Sequence, residues 1–276
     1  MNIINAIILG IIQGLTEFLP VSSSGHLVLT QKIFGITAPT LFFDTMLHIG
    51  TLLAVFAVLW RDIWGILKRI IQPLTGYLIL ATIPAVVVAL VFGDMIEHAF
   101  ESGKFLGVCF LITTALLVGA ELLSKRAGSG AGQGGGLKKD GEMNWLDALI
   151  IGIMQAVAIA PGISRSGATI SGALSRGLNR DFAARFSFLM SIPAILGALV
   201  LQVKDLVKGE AAETATESIG AASIIAGTLS AAVVGFFAVK LMLKIIREKS
   251  LYGFAVYTAV LGALVLFDQF ITHIVF

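Results

Sequence analysis

The chain has 276 residues, 57% of them hydrophobic and only 13% charged, and its mean hydropathy of +0.95 excludes a soluble globular protein. A formal net charge of +2, with no basic surface interleaved with aromatics, excludes a nucleic-acid partner. Cys109, the single cysteine, stands in an apolar run, so an intramolecular disulfide is excluded and the residue reads as packing.

The chain opens on an apolar segment, MNIINAIILGIIQG, with neither a basic n-region nor a small-residue cleavage site, so it is expected to belong to the mature protein. Pro20 and a Ser-rich turn follow, then a second short segment over 23–35. Apolar runs near 45–60, 76–93 and 105–123 each approach the roughly 20 residues that cross a bilayer. GSGAGQGGG at 128–136 has the composition of a flexible linker. Beyond it the plan recurs: a short apolar segment, a turn at Pro161 and Gly162, a second short segment over 164–176, and runs near 182–203, 219–240 and 252–275. Backbone polar groups in lipid must pair internally, and these runs lack the alternation of barrel strands. The predicted class is therefore an all-α integral membrane protein with six transmembrane helices.

The two halves are related in sequence. Shifted by 142 residues, AIILGIIQGLTEFLPVSSSG (6–25) falls on ALIIGIMQAVAIAPGISRSG (148–167) without a gap, with eight identities in twenty positions. The Gln13 match and the Ser-x-Ser-Gly match carry more weight than those of Ile, Ala and Gly. The chain then divides into a first repeat (1–124), a Gly-rich cytoplasmic linker (125–144) and a second repeat (145–276) within one membrane domain. The short segments flanking each turn are too short to span, so each half is expected to open with a re-entrant helical hairpin. One kinked spanning helix per half is the competing reading.

Basic residues test the topology. With two re-entrant hairpins and six spans, Arg61, Lys68, Arg69, Lys125, Arg126, Lys138, Lys139, Arg176, Arg180, Arg185, Lys240, Lys244, Arg247 and Lys249 fall on one side, and Lys32, Lys104, Lys204 and Lys208 on the other. The positive-inside rule makes the first side cytoplasmic. The opposite loops carry Asp94, Glu97, Glu101, Asp205, Glu210, Glu213 and Glu217. Trp60, Trp64 and Trp145 beside basic segments read as interfacial anchors. The first hairpin then enters from outside and the second from the cytoplasm, an inverted-topology repeat, which places a site near the midplane where broken helices turn positive ends toward an anion.

In QGLTEFLPVSSSGH, Gln13 and Glu17 share a helix face, Pro20 ends the helix, and Ser22, Ser23 or Ser24 can cap the next one. His26, three residues after Ser23, is expected within reach of its hydroxyl. In PGISRSGAT, Ser164 or Ser166 caps, Thr169 follows on the same face, and Arg165 adds the one basic residue that neither side of the membrane accounts for. Membrane hydroxyls commonly bond back to their own helix, but a buried charge costs at least about 2.5 kcal/mol. Arg165 could pair with Glu17 as a structural ion pair, but a fork-shaped guanidinium with several hydroxyls and two helix ends suits a phosphate better. His48, His98 and His273 lie apart and read as packing or interfacial residues; Asp44, at the start of a span, could face the cavity.

EFLPVSSSGH and PGISRSGAT, with Gln13-x-x-x-Glu17 ahead of the first, closely resemble the paired motifs of the undecaprenyl-diphosphate phosphatases, the BacA-type bacitracin-resistance family, and FSFLMSIPA at 186–194 extends the likeness over nearly the whole chain. The resemblance implies a multi-pass enzyme of the bacterial inner membrane, its site open to the periplasm. It would remove the terminal phosphate of undecaprenyl diphosphate and so regenerate the lipid carrier for cell-wall synthesis. Bacitracin would act through the same lipid, and a homodimer is left open. A divalent cation, Mg or Ca, is implied, with Glu17 essential for metal and catalysis and Gln13 at a position that the family fills with Glu or Gln. Because Gln13 is neutral, a two-carboxylate metal site is in doubt. Ser23 would be nucleophile or primary phosphate ligand and His26 its acid-base partner, with Ser22 beside them. Arg165, Ser164, Ser166 and Thr169 would bind the diphosphate. A polyprenyl-phosphate flippase and a small-anion transporter are the alternatives; neither needs a hydroxyl with a base beside it.

Overall fold

The computed structural model describes residues 1–36, 40–126, 138, 140–207 and 219–276. The linker at 128–136, Lys139, Lys208, Glu210, Glu213 and Glu217 lie outside the described residues, as do the side chains at 94, 97, 99–101, 140 and 201–207. Regular structure among the described residues is helical, apart from a single bridge between Lys138 and Leu178. Six helices are long and apolar enough to cross a membrane: Leu41–Val58, Pro73–Gly93, Leu106–Arg126, Arg180–Val200, Ala221–Glu248 and Tyr252–Thr272. The chain is therefore a multi-pass all-α membrane protein.

In chain order the helices are α1 (Ile3–Thr16), α2 (Ser23–Ile33), α3 (Leu41–Val58), α4 (Trp60–Lys68), α5 (Pro73–Ser102), α6 (Leu106–Arg126), α7 (Trp145–Val157), α8 (Arg165–Ser175), α9 (Arg180–Val207), α10 (Ala221–Glu248) and α11 (Tyr252–Phe267). Helices α1 and α2, like α7 and α8, are joined by a turn and pack on each other. At about 1.5 Å per residue none of these four reaches the roughly 30 Å of a hydrocarbon core. Local chemistry sets their starts. Asn2 accepts the Asn5 N–H at 2.7 Å ahead of α1, Asn144 and Asp147 form a capping box on α7, and Ser22 and Ser164 cap α2 and α8. Pro20 and Pro161 cannot continue the preceding helices.

Equivalent elements meet equivalent partners. Helix α1 packs along α10, and α7, which the 142-residue shift superposes on α1, packs along α5; α6 pairs with α11. The same shift carries Gly10 onto Gly152. A Cβ at Gly10 would stand 2.2 Å from the Gly227 carbonyl oxygen of α10, and one at Gly152 would stand 2.5 Å from that of Ala81 in α5. The short helices thus lie backbone against backbone on long ones, as small residues allow in membranes.

Ion pairs gather the basic helix ends. Arg180, 5% exposed, gives Nη2 to Glu121 at 2.7 Å and Nε to the Ile246 carbonyl at 2.8 Å, joining α6, α9 and the last turn of α10. Asp147 receives Lys138 at 2.7 Å and Arg176 at 2.8 Å, and Asp181 receives Arg185 and Arg247. Trp60 and Trp64 of the amphipathic α4 carry Arg61 and Lys68 over their rings. At the other end Lys32 lies 5.0 Å from the centre of the Phe276 ring, and Gln269 donates to the Gly103 carbonyl at 2.8 Å.

Gly10→Ala and Gly152→Ala are each expected to lower the thermal midpoint in detergent by the equivalent of about 1–3 kcal/mol through overpacking. Gly76→Ala, where a Cβ meets nothing within 4 Å, should be neutral or slightly stabilising. Equal midpoints for all three variants would contradict the close approach.

Candidate active site

Glu17 closes the last turn of α1, one turn after Gln13, and is 6% exposed. Its Oε2 accepts the Ser23 hydroxyl at 2.5 Å and the Gln13 amide at 2.9 Å. Its Oε1 accepts Nη2 of Arg165, the first residue of α8. His48 of α3 brings Nε2 to 3.5 Å from Oε2. One carboxylate is thereby shared by both hairpins and a spanning helix. Four groups converge on it because Pro20 stops α1 just beyond Glu17, so the chain turns and starts α2 with Ser23 facing back.

The second turn is fastened to the first. Gly162, at φ +94°, offers its N–H to Ser24 Oγ at 3.5 Å, and Ser166 Oγ donates to the Leu19 carbonyl at 3.0 Å. A Cβ at Gly25 would sit 2.7 Å from the Phe110 ring and 3.1 Å from the Gly162 Cα, so only glycine lets the turns close. Thr113 of α6 secures the far side: its hydroxyl accepts the Ser164 N–H at 3.0 Å and lies 3.3 Å from the Gly162 carbonyl. Helices α2 and α8 both begin here, so their positive ends add to Arg165 in favouring an anion.

Of the residues predicted from sequence, Gln13, Glu17, Ser23 and Arg165 form one hydrogen-bonded set. Ser22, Ser164 and Ser166 adjoin it; Ser22 and Ser164 accept the Gly25 and Gly167 N–H groups as caps. One expected contact is absent. His26 does not bond Ser23: its Nδ1 lies 2.6 Å from the Ser22 carbonyl oxygen and its Nε2 2.7 Å from the Tyr257 hydroxyl of α11. The Ser23 hydroxyl is taken by Glu17, while the imidazole lies back against the Ser22 carbonyl at the start of the same helix. Thr169 bonds Ser187 of α9 at 2.6 Å and the Arg165 carbonyl at 2.8 Å, turned from the carboxylate.

His48, expected as a packing or interfacial residue, instead comes to Glu17. Its Nδ1 lies 2.7 Å from the Asp44 carbonyl oxygen, one turn back. Asp44 itself does not touch Glu17 directly; its carboxylate takes Gln31 at 2.8 Å and Thr40 at 3.1 Å. The i, i+4 spacing of Asp44 and His48 inside an apolar helix was the available signal. Cys109 is buried, close under Gly162.

Two polar atoms here are buried without a hydrogen-bond partner: Gln13 Oε1, an acceptor, and Arg165 Nη1, a donor. Each such group costs about 1–3 kcal/mol unless a ligand completes it. An anion fits Arg165, and a cation fits Gln13 Oε1 beside the Glu17 carboxylate. No cluster of three His, Cys, Asp or Glu exists among the described residues, so these oxygens suit a hard cation that brings its remaining ligands with a phosphate.

The family model described as bacitracin resistance protein BacA matches residues 6–264. The chain is 48% identical to undecaprenyl-diphosphatase 4 of Bacillus thuringiensis subsp. konkukian and 46% identical to undecaprenyl-diphosphatase of Carboxydothermus hydrogenoformans. It is 47% identical to undecaprenyl-diphosphatase 3 of Bacillus cereus. Each comparison covers 98% of both chains.

Removing one partner of a buried ion pair costs about 3–5 kcal/mol. Arg165→Met is expected to show such a loss in detergent unfolding, and Glu17→Gln with Arg165→Met to lose at least about 1 kcal/mol less than the two single changes together. Strict additivity would contradict a direct pairing.

Proposed function

Because the chain belongs to the bacitracin resistance protein BacA family, we propose that it hydrolyses undecaprenyl diphosphate to undecaprenyl phosphate and phosphate. The observation that carries the reading is the Ser23 hydroxyl donating at 2.5 Å to a buried carboxylate whose other oxygen holds Arg165. A carrier or flippase would need the anion site, but not a hydroxyl poised on a base.

Phosphoryl transfer requires in-line positioning and neutralisation of charge on the transferred group. Arg165, through Nη1 and by exchanging Glu17 for phosphate, binds the diphosphate with the α2 and α8 helix ends, flanked by Ser164 and Ser166. Ser23 Oγ attacks the terminal phosphorus while its proton passes to Glu17 Oε2. The bond from phosphorus to the bridging oxygen breaks, and undecaprenyl phosphate leaves. Glu17 hands that proton on to the departing lipid phosphate; water then attacks the phosphoserine, its proton passing to the restored Glu17 carboxylate and on to Ser23 Oγ as phosphate departs. A divalent cation, Mg or Ca, held by Glu17 and Gln13 Oε1, would supply further neutralisation of phosphate charge.

The same reading places the protein in the bacterial inner membrane. The end rich in Lys and Arg, where Arg180, Arg176 and Arg247 make their ion pairs, lies in the cytoplasm under the positive-inside rule, and the site serves the periplasmic face. The matching packing of α1 and α7 supports the inverted repeat, and the shortness of the hairpin arms supports re-entrance. Bacitracin resistance follows from competition for the shared lipid.

With purified protein and undecaprenyl diphosphate, Ser23→Ala and Glu17→Gln are each expected to lower phosphate release at least about 10³-fold, Ser24→Ala less than about tenfold, and chelator to abolish it. Near-normal release by Ser23→Ala would end the nucleophile assignment.

A further inference from the structure

The last helix supplies a contact that lies outside both signature motifs. Tyr257, half exposed on α11, places its hydroxyl 2.7 Å from His26 Nε2, with the two rings stacked 5.7 Å apart and 7° from parallel. Phe110 closes the other side of the imidazole edge-on, 5.6 Å between centroids. The partners fix the protons. The Ser22 carbonyl oxygen can only accept, so Nδ1 carries hydrogen and donates to it at 2.6 Å; Nε2 of the neutral ring is then an acceptor and takes the Tyr257 O–H. Both nitrogens are engaged, neither with Ser23.

What this arrangement holds is Ser22. Apart from His273 near the C-terminus, Ser22 is the only non-glycine residue with positive φ among those described. Such a conformation persists only where its surroundings over-determine it. The Ser22 carbonyl receives two donors from one residue, the His26 N–H at 3.2 Å and Nδ1–H at 2.6 Å. The first turn of α2 carries the following hydroxyl, that of Ser23, which donates to Glu17.

We propose that Tyr257 and His26 act as a positioning pair: Tyr257 fixes the imidazole tautomer, His26 Nδ1–H holds the Ser22 carbonyl at the start of α2, and the first turn held in this way aims Ser23 at Glu17. The inference rests on the phosphatase reading for its kinetic test. It replaces the acid-base role expected of His26 with an orienting one, and it brings in a residue of α11. Such outer partners fix ring orientation without touching the reacting atoms.

The test uses the full chain in detergent, with phosphate release from undecaprenyl diphosphate and nitrogen-15 spectra of labelled histidines, the His26 signals being identified by their loss in His26→Asn. Tyr257→Phe is expected to lower kcat about tenfold with KM within about twofold, and to weaken the Nδ1–H tautomer signature of His26. His26→Asn, whose amide N–H stands in for Nδ1–H, should retain at least about a tenth of the wild-type kcat, whereas His26→Ala should lose about a hundredfold or more. The pair is overturned if His26→Asn is as inactive as His26→Ala, or if Tyr257→Phe leaves both kcat and tautomer unchanged. Absence of phosphate release by the wild type would instead count against the phosphatase reading, and the tautomer signal of Tyr257→Phe would then decide the pair alone.

Discussion

The pairing of Glu17 with Arg165 is the constraint from which the rest of the site follows. Neither charge could be buried alone in a chain surrounded by hydrocarbon, since an isolated ion in a membrane costs at least about 2.5 kcal/mol and an orphaned partner more. The two residues are 148 positions apart, one closing α1 and the other opening α8. The pair is therefore satisfied only when both hairpins are in place, and the hydrogen bonds of Ser166 to Leu19 and of Gly162 to Ser24 close the same contact.

The groups around the pair support its proposed role as a working site as well as a structural tie. Unpartnered atoms alone do not mark it, because the Arg180 and Glu121 pair also leaves Arg180 Nη1 and Glu121 Oε2 without hydrogen bonds. Here Arg165 Nη1 and Gln13 Oε1 are left without partners, while the carboxylate has drawn in a serine hydroxyl, an amide and an imidazole. A buried polar network completed only by ligand is preorganised for charge that arrives later. The chemistry proposed for Ser23 needs little motion: its proton already rests against the base, and Arg165 need only exchange one anion for another.

Much of this was legible in the amino-acid sequence, and the boundary falls at a physical divide. Six spans follow from apolar length, and their observed limits differ from the expected ones by a few residues, most at the C-terminal end of α10, whose last two turns are basic yet remain helical because Arg180 caps them. The turns follow from Pro20, Pro161 and the cap-forming serines, and the need of Arg165 for an anionic partner follows from what burial of charge requires, Glu17 being the less favoured of the two partners expected. Side-chain direction beyond the hairpins was not legible. His26 lies three residues after Ser23, a spacing that favours contact in a regular helix, but Glu17 takes the Ser23 hydroxyl while the Ser22 carbonyl and Tyr257 take both ring nitrogens. Thr169 has the expected face, yet Ser187 of α9 takes its hydroxyl. His48 reaches Glu17 only because α3 docks beside α1, a relation that no local pattern encodes.

The central claim, that the two hairpin turns meet inside one molecule, is tested most directly by joining them. A Cβ at position 167 would stand 3.3 Å from the Pro20 Cβ, close to the roughly 3.5–4.5 Å that a disulfide requires. In a Cys109→Ala background, Pro20→Cys with Gly167→Cys is predicted to form an intramolecular disulfide under mild oxidation of native membranes, while either single variant forms none. If the doubly substituted, folded protein keeps both thiols free, available to an alkylating reagent after denaturation, the turns do not meet and the shared site is wrong.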